Sequence, residues 1–263
     1  MASNRPKPGM REVITAADIA GFKRTDINTE VGKLATWHRG LDGASSIRVY
    51  IEGDGRAWKT RTRPSDNPTP KNPVGFRLAL LDPGDAVVYL ARPCQFLRAS
   101  ETTACDQRYW TSHRYSNGVV EALNAALNKL LERDTGGPTA AITLVGFSGG
   151  GALAALLSAR RHDVLRLVTV AGNLDTEAWA AHHSVTPLTG SLNPIDIAEE
   201  TAALPQLHFV GAEDKVIPAA LAHAFVARSG STNAIVRIIP DIDHGCCWHQ
   251  VWPRLMTDLL ARR

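Results

Sequence analysis

Ala140-Ala141-Ile142-Thr143-Leu144-Val145-Gly146-Phe147-Ser148-Gly149-Gly150-Gly151 is an apolar run that drives straight into Gly-x-Ser-x-Gly, and a small-residue helix pattern, Ala152 to Ala159, follows at once. A strand, a sharp turn and a helix in that order form the setting in which a serine is lifted clear of a sheet as a nucleophile. The turn forces Ser148 into a strained backbone conformation, and Gly146 and Gly150 leave the room that larger neighbours would fill. Taken alone, the same five residues also fit a plain tight turn. What accompanies them decides the reading.

Two more apolar runs end in residues of the right chemistry. Gln206-Leu207-His208-Phe209-Val210 leads into Gly211-Ala212-Glu213-Asp214-Lys215-Val216-Ile217-Pro218, and Ala234-Ile235-Val236-Arg237-Ile238-Ile239 leads into Pro240-Asp241-Ile242-Asp243-His244-Gly245. Each acid or base candidate sits just past the C-terminal end of a predicted strand, where an open parallel sheet binds its ligands. The chain order is Ser148, Asp214, His244. With that ordered set the chain resembles the α/β-hydrolase family, in which nucleophile, acid and base follow one another in this sequence, unlike chymotrypsin or subtilisin. The resemblance covers roughly residues 30 to 262 and implies the α/β-hydrolase fold. That fold is α/β, with a mainly parallel central sheet and helices on both faces, here with a small partial cap.

A serine hydroxyl is a weak nucleophile near neutral pH, so an imidazole must take its proton during attack and return it to the leaving group. A carboxylate behind the ring fixes its tautomer and stabilises the imidazolium. His244 is one of nine histidines, but it alone lies in a short loop directly after a late strand with a glycine behind it. The others, His38, His113, His162, His182, His183, His208, His223 and His249, read as surface or packing residues. For the acid, Asp241 and Asp243 are too close to His244 along the chain. Asp196 competes with Asp214, because some hydrolases of this fold take the acid from an earlier strand. Its other reading is the N-cap of a helix over 197–203.

Charge builds on the carbonyl oxygen during attack, so preorganised N–H donors are needed. The first is expected from the backbone of Gly149, just after the nucleophile. The second is expected from the loop that follows Ile47-Arg48-Val49-Tyr50-Ile51, namely Glu52-Gly53-Asp54-Gly55. Relatives often carry His-Gly there, with the donor on the residue after the glycine. On that correspondence Glu52 replaces the histidine and the Asp54 N–H is the candidate donor, a hairpin turn being the alternative. Two carboxylates would oppose the oxyanion unless paired. Arg92, after the apolar run Ala86 to Leu90, is expected at the same sheet edge as loop support, neutralising Glu52 or Asp54; a solvated surface arginine is the other reading.

The 263 residues are 44% hydrophobic and 21% charged with a net charge of +3, which suits a single catalytic domain over 25–263. A flexible leader is expected over 1–24. Scattered basic residues without interleaved aromatics argue against a nucleic-acid partner, and no apolar stretch reaches the roughly 18 to 20 residues of a membrane span. No cofactor is expected and no metal, for the cysteines lack partners at zinc-ligand spacing. Four cysteines permit three pairings, and spacing does not choose among them. A bridge between the adjacent Cys246 and Cys247 would be strained. The segment Arg92-Pro93-Cys94-Gln95 to Cys105-Asp106 with Trp110-Thr111 resembles that of exported bacterial hydrolases of this fold. That resemblance implies a Cys94–Cys105 disulfide and a periplasmic or cell-envelope location; free thiols in a cytoplasmic enzyme are the alternative.

Strands are predicted at 32–38, 47–51, 86–90, 140–147, 164–170, 206–211 and 234–239, and helices at 117–133, 150–160, 218–228 and 248–262. Such alternation implies parallel strands with right-handed crossovers. The loops 58–73 and 172–193 could shape a pocket, with the partial cap over about 172–200 and Trp179 and Leu188 as lining candidates. The expected activity is hydrolysis of short or medium acyl carboxylic esters through an acyl-enzyme, the partner being a small-molecule ester. An amidase or peptidase acting on small acyl-amides, and a non-catalytic binding protein of the same fold, are the alternatives. Nothing in the sequence speaks to oligomeric state.

Overall fold

The structure, a computed structural model, describes residues 8–102, 105–134 and 140–261. In chain order its elements are α1 (Pro8–Ile19), β1 (Lys23–Thr29), β2 (Gly32–Arg39), β3 (Ser46–Ile51), α2 (Val74–Leu80), β4 (Val87–Leu90), α3 (Ala99–Thr102), α4 (Asn117–Asp134), β5 (Ala141–Phe147), α5 (Gly149–Ser158), β6 (Val164–Val170), α6 (Thr176–His182), β7 (Gln206–Gly211), α7 (Ala219–Ser229), β8 (Ala234–Ile239) and α8 (Trp248–Ala261). Short 3₁₀ turns cover Gln107–Trp110 and Pro194–Thr201. The strands form one eight-stranded sheet in the order β1-β2-β4-β3-β5-β6-β7-β8. From β4 to β8 all pairings are parallel, whereas β1 and β2 join antiparallel.

The period-two alternation of strand side chains divides the core in two. Ile47, Val49 and Ile51 of β3 face one side with Val88 and Leu90 of β4, packing on Val119, Leu123 and Leu127 of α4, Leu153 of α5 and Phe225 of α7. Tyr50, Val87 and Tyr89 face the other, with Val13 and Ala17 of α1, Phe76 of α2 and Trp248 and Trp252 of α8. Covered on both faces, β4 and β7 are buried along their whole length, which is why they read as continuous apolar runs.

Two expectations need correction. Residues 8–24, expected as leader, form α1 and the start of β1; Val13 and Ala17, four apart and so on one helical face, are buried against the sheet. Residues 1–7 of that expected leader, and residue 262 of the last expected helix, lie outside the described residues. The helix expected over 197–203 is a 3₁₀ segment starting at Pro194, with Asn193 at its N-cap, so Asp196 sits in its first turn, exposed to solvent. Among the described residues no helix is long and apolar enough to cross a membrane.

Candidate active site

Ser148 stands between β5 and α5 at φ 53° and ψ −120°, a left-handed conformation that non-glycine residues rarely adopt. Its N–H donates to the Val170 carbonyl at 2.9 Å, and its own carbonyl accepts from Gly151 at 2.9 Å and Asn173 at 3.1 Å. These bonds over-determine the strained turn, which is how such strain persists. A Cβ at position 146 would lie 2.2 Å from the Gly150 carbonyl oxygen, so the strand-to-helix approach leaves room only for glycine.

The loops after β7 and β8 bring in the other two groups. His244 Nε2 lies 3.0 Å from Ser148 Oγ, and His244 Nδ1 lies 2.9 Å from Asp214 Oδ2. Since the carboxylate only accepts, Nδ1 carries the proton and Nε2 is left to accept from the serine hydroxyl. Asp214 Oδ1 in turn accepts from the Val216 and Ile217 N–H groups, both at 2.8 Å. The Asp214 side chain is fully buried, while that of His244 keeps 22% exposure. Phe147 packs on the imidazole, ring centroids 5.3 Å apart. The three residues singled out in the sequence thus meet, and Asp196 is not among them.

The loop after β3 is pinned at Glu52, Gly53 and Asp54. Glu52 is 1% exposed; its Oε1 accepts from the N–H groups of Gly53 and Gly75, and its Oε2 from Phe76 N–H and the Tyr89 hydroxyl. Burial pushes the Glu52 carboxyl above the usual range, and those four donors oppose the rise. Gln95 Nε2 donates to the Gly53 carbonyl at 3.0 Å. Asp54 is held by Arg92 at 2.9 Å, by Arg114 at 2.7 Å and by the Tyr115 hydroxyl at 3.0 and 2.8 Å. Burial alone would raise the Asp54 carboxyl; the charges of Arg114 and Arg92 outweigh it and hold the group below its ordinary value. Arg92 therefore pairs with Asp54 and not with Glu52. Arg114 and Tyr115, at the turn before α4, were not singled out in the sequence. They lie some sixty residues from Asp54 in a stretch without periodicity, and no signal there marks them.

The expected lining residues part company. Leu188 lines a cleft of about 460 Å³ with Leu156, Leu192, Ile197 and Glu177, and no residue of the Ser148–His244–Asp214 chain borders it. Trp179 instead donates from Nε1 to the Val216 carbonyl at 3.0 Å, beside His183 Nε2 at 2.8 Å from the same oxygen. Cys94 and Cys105 are bonded, as the resemblance implied, and Cys246 is bonded to Cys247. The second bridge joins chain neighbours, the pairing that is left once Cys94 and Cys105 are bonded. Among the described residues no cluster of His, Cys, Asp and Glu could hold a metal ion.

The Serine hydrolase (FSH1) family profile matches residues 80–237, more than half of the chain and a span that includes Ser148 and Asp214. The chain belongs to this serine hydrolase family and is a hydrolase. Solved structures agree on the α/β-hydrolase fold. The Pyrococcus furiosus esterase Pf2001 superposes with a TM-score of 0.63 at 14% identity, over 93% of this chain and 91% of that one. Est1E from Butyrivibrio proteoclasticus gives 0.61 at 13%, over 91% and 99%. A Mycobacterium tuberculosis puromycin-hydrolyzing peptidase gives 0.65 at 15%, over 91% of this chain and 38% of that one. A search of curated proteins gave no match.

Proposed function

We propose that this protein cleaves carboxylic esters of short or medium acyl chain through an acyl-enzyme on Ser148. The observation that carries the reading is the unbroken chain from Asp214 through His244 to Ser148, with the serine held at positive φ. Ser148 Oγ attacks the carbonyl carbon while its proton passes to His244 Nε2. The carbonyl electron pair moves onto oxygen, facing the Gly149 and Asp54 N–H groups. Neither of these groups donates to a protein acceptor among the described residues, and such a donor contributes about 3 kcal/mol. As the oxyanion collapses, the C–O bond breaks and the alkoxide leaves with the proton from His244. Water, deprotonated by the same imidazole, then releases the acid and restores the serine. The segment over 172–200 serves as a partial cap, tied to the acid loop by Trp179 and His183.

A second reading keeps the chemistry and changes the leaving group to an amine, and the fold neighbour named as a peptidase supports it. The test is turnover of p-nitrophenyl butyrate beside butyryl p-nitroanilide. Wild type is expected to prefer the ester, and Ser148→Ala to lose at least about a thousandfold in kcat. Anilide cleaved as fast as ester would favour the second reading. Ester turnover that survives Ser148→Ala would end both.

A further inference from the structure

The Asp54 carboxylate lies against Gly149, the residue that follows Ser148 in the nucleophile elbow. A Cβ built on Gly149 would fall 2.0 Å from Asp54 Oδ1 and 2.5 Å from the Tyr115 hydroxyl, so the carboxylate touches the residue whose N–H is proposed above as the first oxyanion donor. A bare carboxylate there would repel the charge that builds on the substrate oxygen. Two guanidiniums meet it instead. Arg92 and Arg114 have side chains only 4% and 6% exposed, where solvent screens their charge little. Arg92 also donates to the Arg114 carbonyl and stacks on the Tyr115 ring at 5.3 Å, and Arg114 Nε donates to the Thr111 carbonyl at 2.7 Å. Around Asp54 the cluster thus holds one more positive than negative charge, and Glu52 shares none of these donors.

We propose that Arg114, Arg92 and Tyr115 are positioning residues for the oxyanion site: they fix the Asp54 side chain so that its backbone N–H meets the substrate oxygen, and they convert a repelling carboxylate into a net attractive charge behind it. The inference rests on the acyl-enzyme reading above and goes beyond it by separating the loop's shape from its charge. A group that acts on developing charge changes kcat and leaves ground-state binding alone.

The test measures p-nitrophenyl butyrate kinetics and the affinity of butylboronic acid, whose serine adduct is a tetrahedral anion. Arg114→Gln is expected to lower kcat and boronate affinity together, by about ten- to a hundredfold, with KM within about threefold of wild type. Removing the carboxylate as well, in Arg114→Gln/Asp54→Asn, should restore at least about fivefold of the lost kcat, which a loss of shape alone would not allow. The inference fails if Arg114→Gln matches wild type, if its boronate affinity is unchanged while kcat falls, or if the double variant recovers nothing. Should Arg114→Gln not fold, Tyr115→Phe removes one donor and no charge, and boronate affinity unchanged by it overturns the proposal. Wild type that neither turns over the ester nor binds the boronate instead ends the acyl-enzyme reading and this inference with it. Wild-type turnover that Arg114→Gln leaves unchanged ends this inference alone.

Discussion

At the scale of single residues, Glu52 shows how a charge can serve as scaffold. Its two oxygens collect three backbone N–H groups and one hydroxyl, joining β3, β4 and the start of α2 behind the elbow. Glu52→Gln would turn one acceptor oxygen into an NH₂ facing donors it cannot satisfy. The expected loss is about 1–3 kcal/mol of stability in urea unfolding, and a variant as stable as wild type would refute the scaffold role. Ser148, Asp214 and His244 were legible in the sequence because each directly follows a strand-like run, so the parallel sheet itself carries them to one edge. Arg92 was legible for the same reason. Arg114 and Tyr115 were not, since only the folded loop connects them to Asp54.

Elements tell a similar story. Strands β3 to β8 are apolar runs and α4 has one apolar face, so periodicity sufficed to find them. The polar stretch Lys23–Thr29 hid β1, an edge strand with only Ile27 buried, and the proline-rich approach to Val74 hid the seven-residue α2. The pairing of β6 with β7 carries a consequence for pH. His208 is fully buried between Thr169, at 2.9 Å from Nδ1, and Gln206, at 3.1 Å from Nε2. Burial lowers its pKa to about 3, against about 6.5 in an unfolded chain. Between those values the unfolded state binds a proton that the folded state refuses. This contribution to stability is therefore complete above about pH 6.5 and declines as pH falls toward 3, by up to about 1.4 kcal/mol per unit. Stability of His208→Gln, followed by urea midpoint at pH 7, 6, 5 and 4, should fall less steeply than that of wild type. An unchanged slope would show that His208 does not govern the acid limb.

For the whole molecule, two cores separated by one sheet support its C-terminal edge, and the groups proposed for chemistry project from four loops along that edge. The elbow after β5, the acid loop after β7, the base loop after β8 and the oxyanion loop after β3 are each braced by contacts of their own. The alternation of strands and helices made this overall plan readable from sequence, whereas the N-terminal helix packed under the sheet was not. The central claim is that Ser148 is the activated nucleophile, and covalent labelling tests it most directly. Folded wild type treated with a fluorophosphonate should gain one adduct mass on the peptide containing Ser148, and His244→Ala should react far more slowly. Folded wild type that stays unlabelled, or carries the adduct on a different serine, would contradict the account.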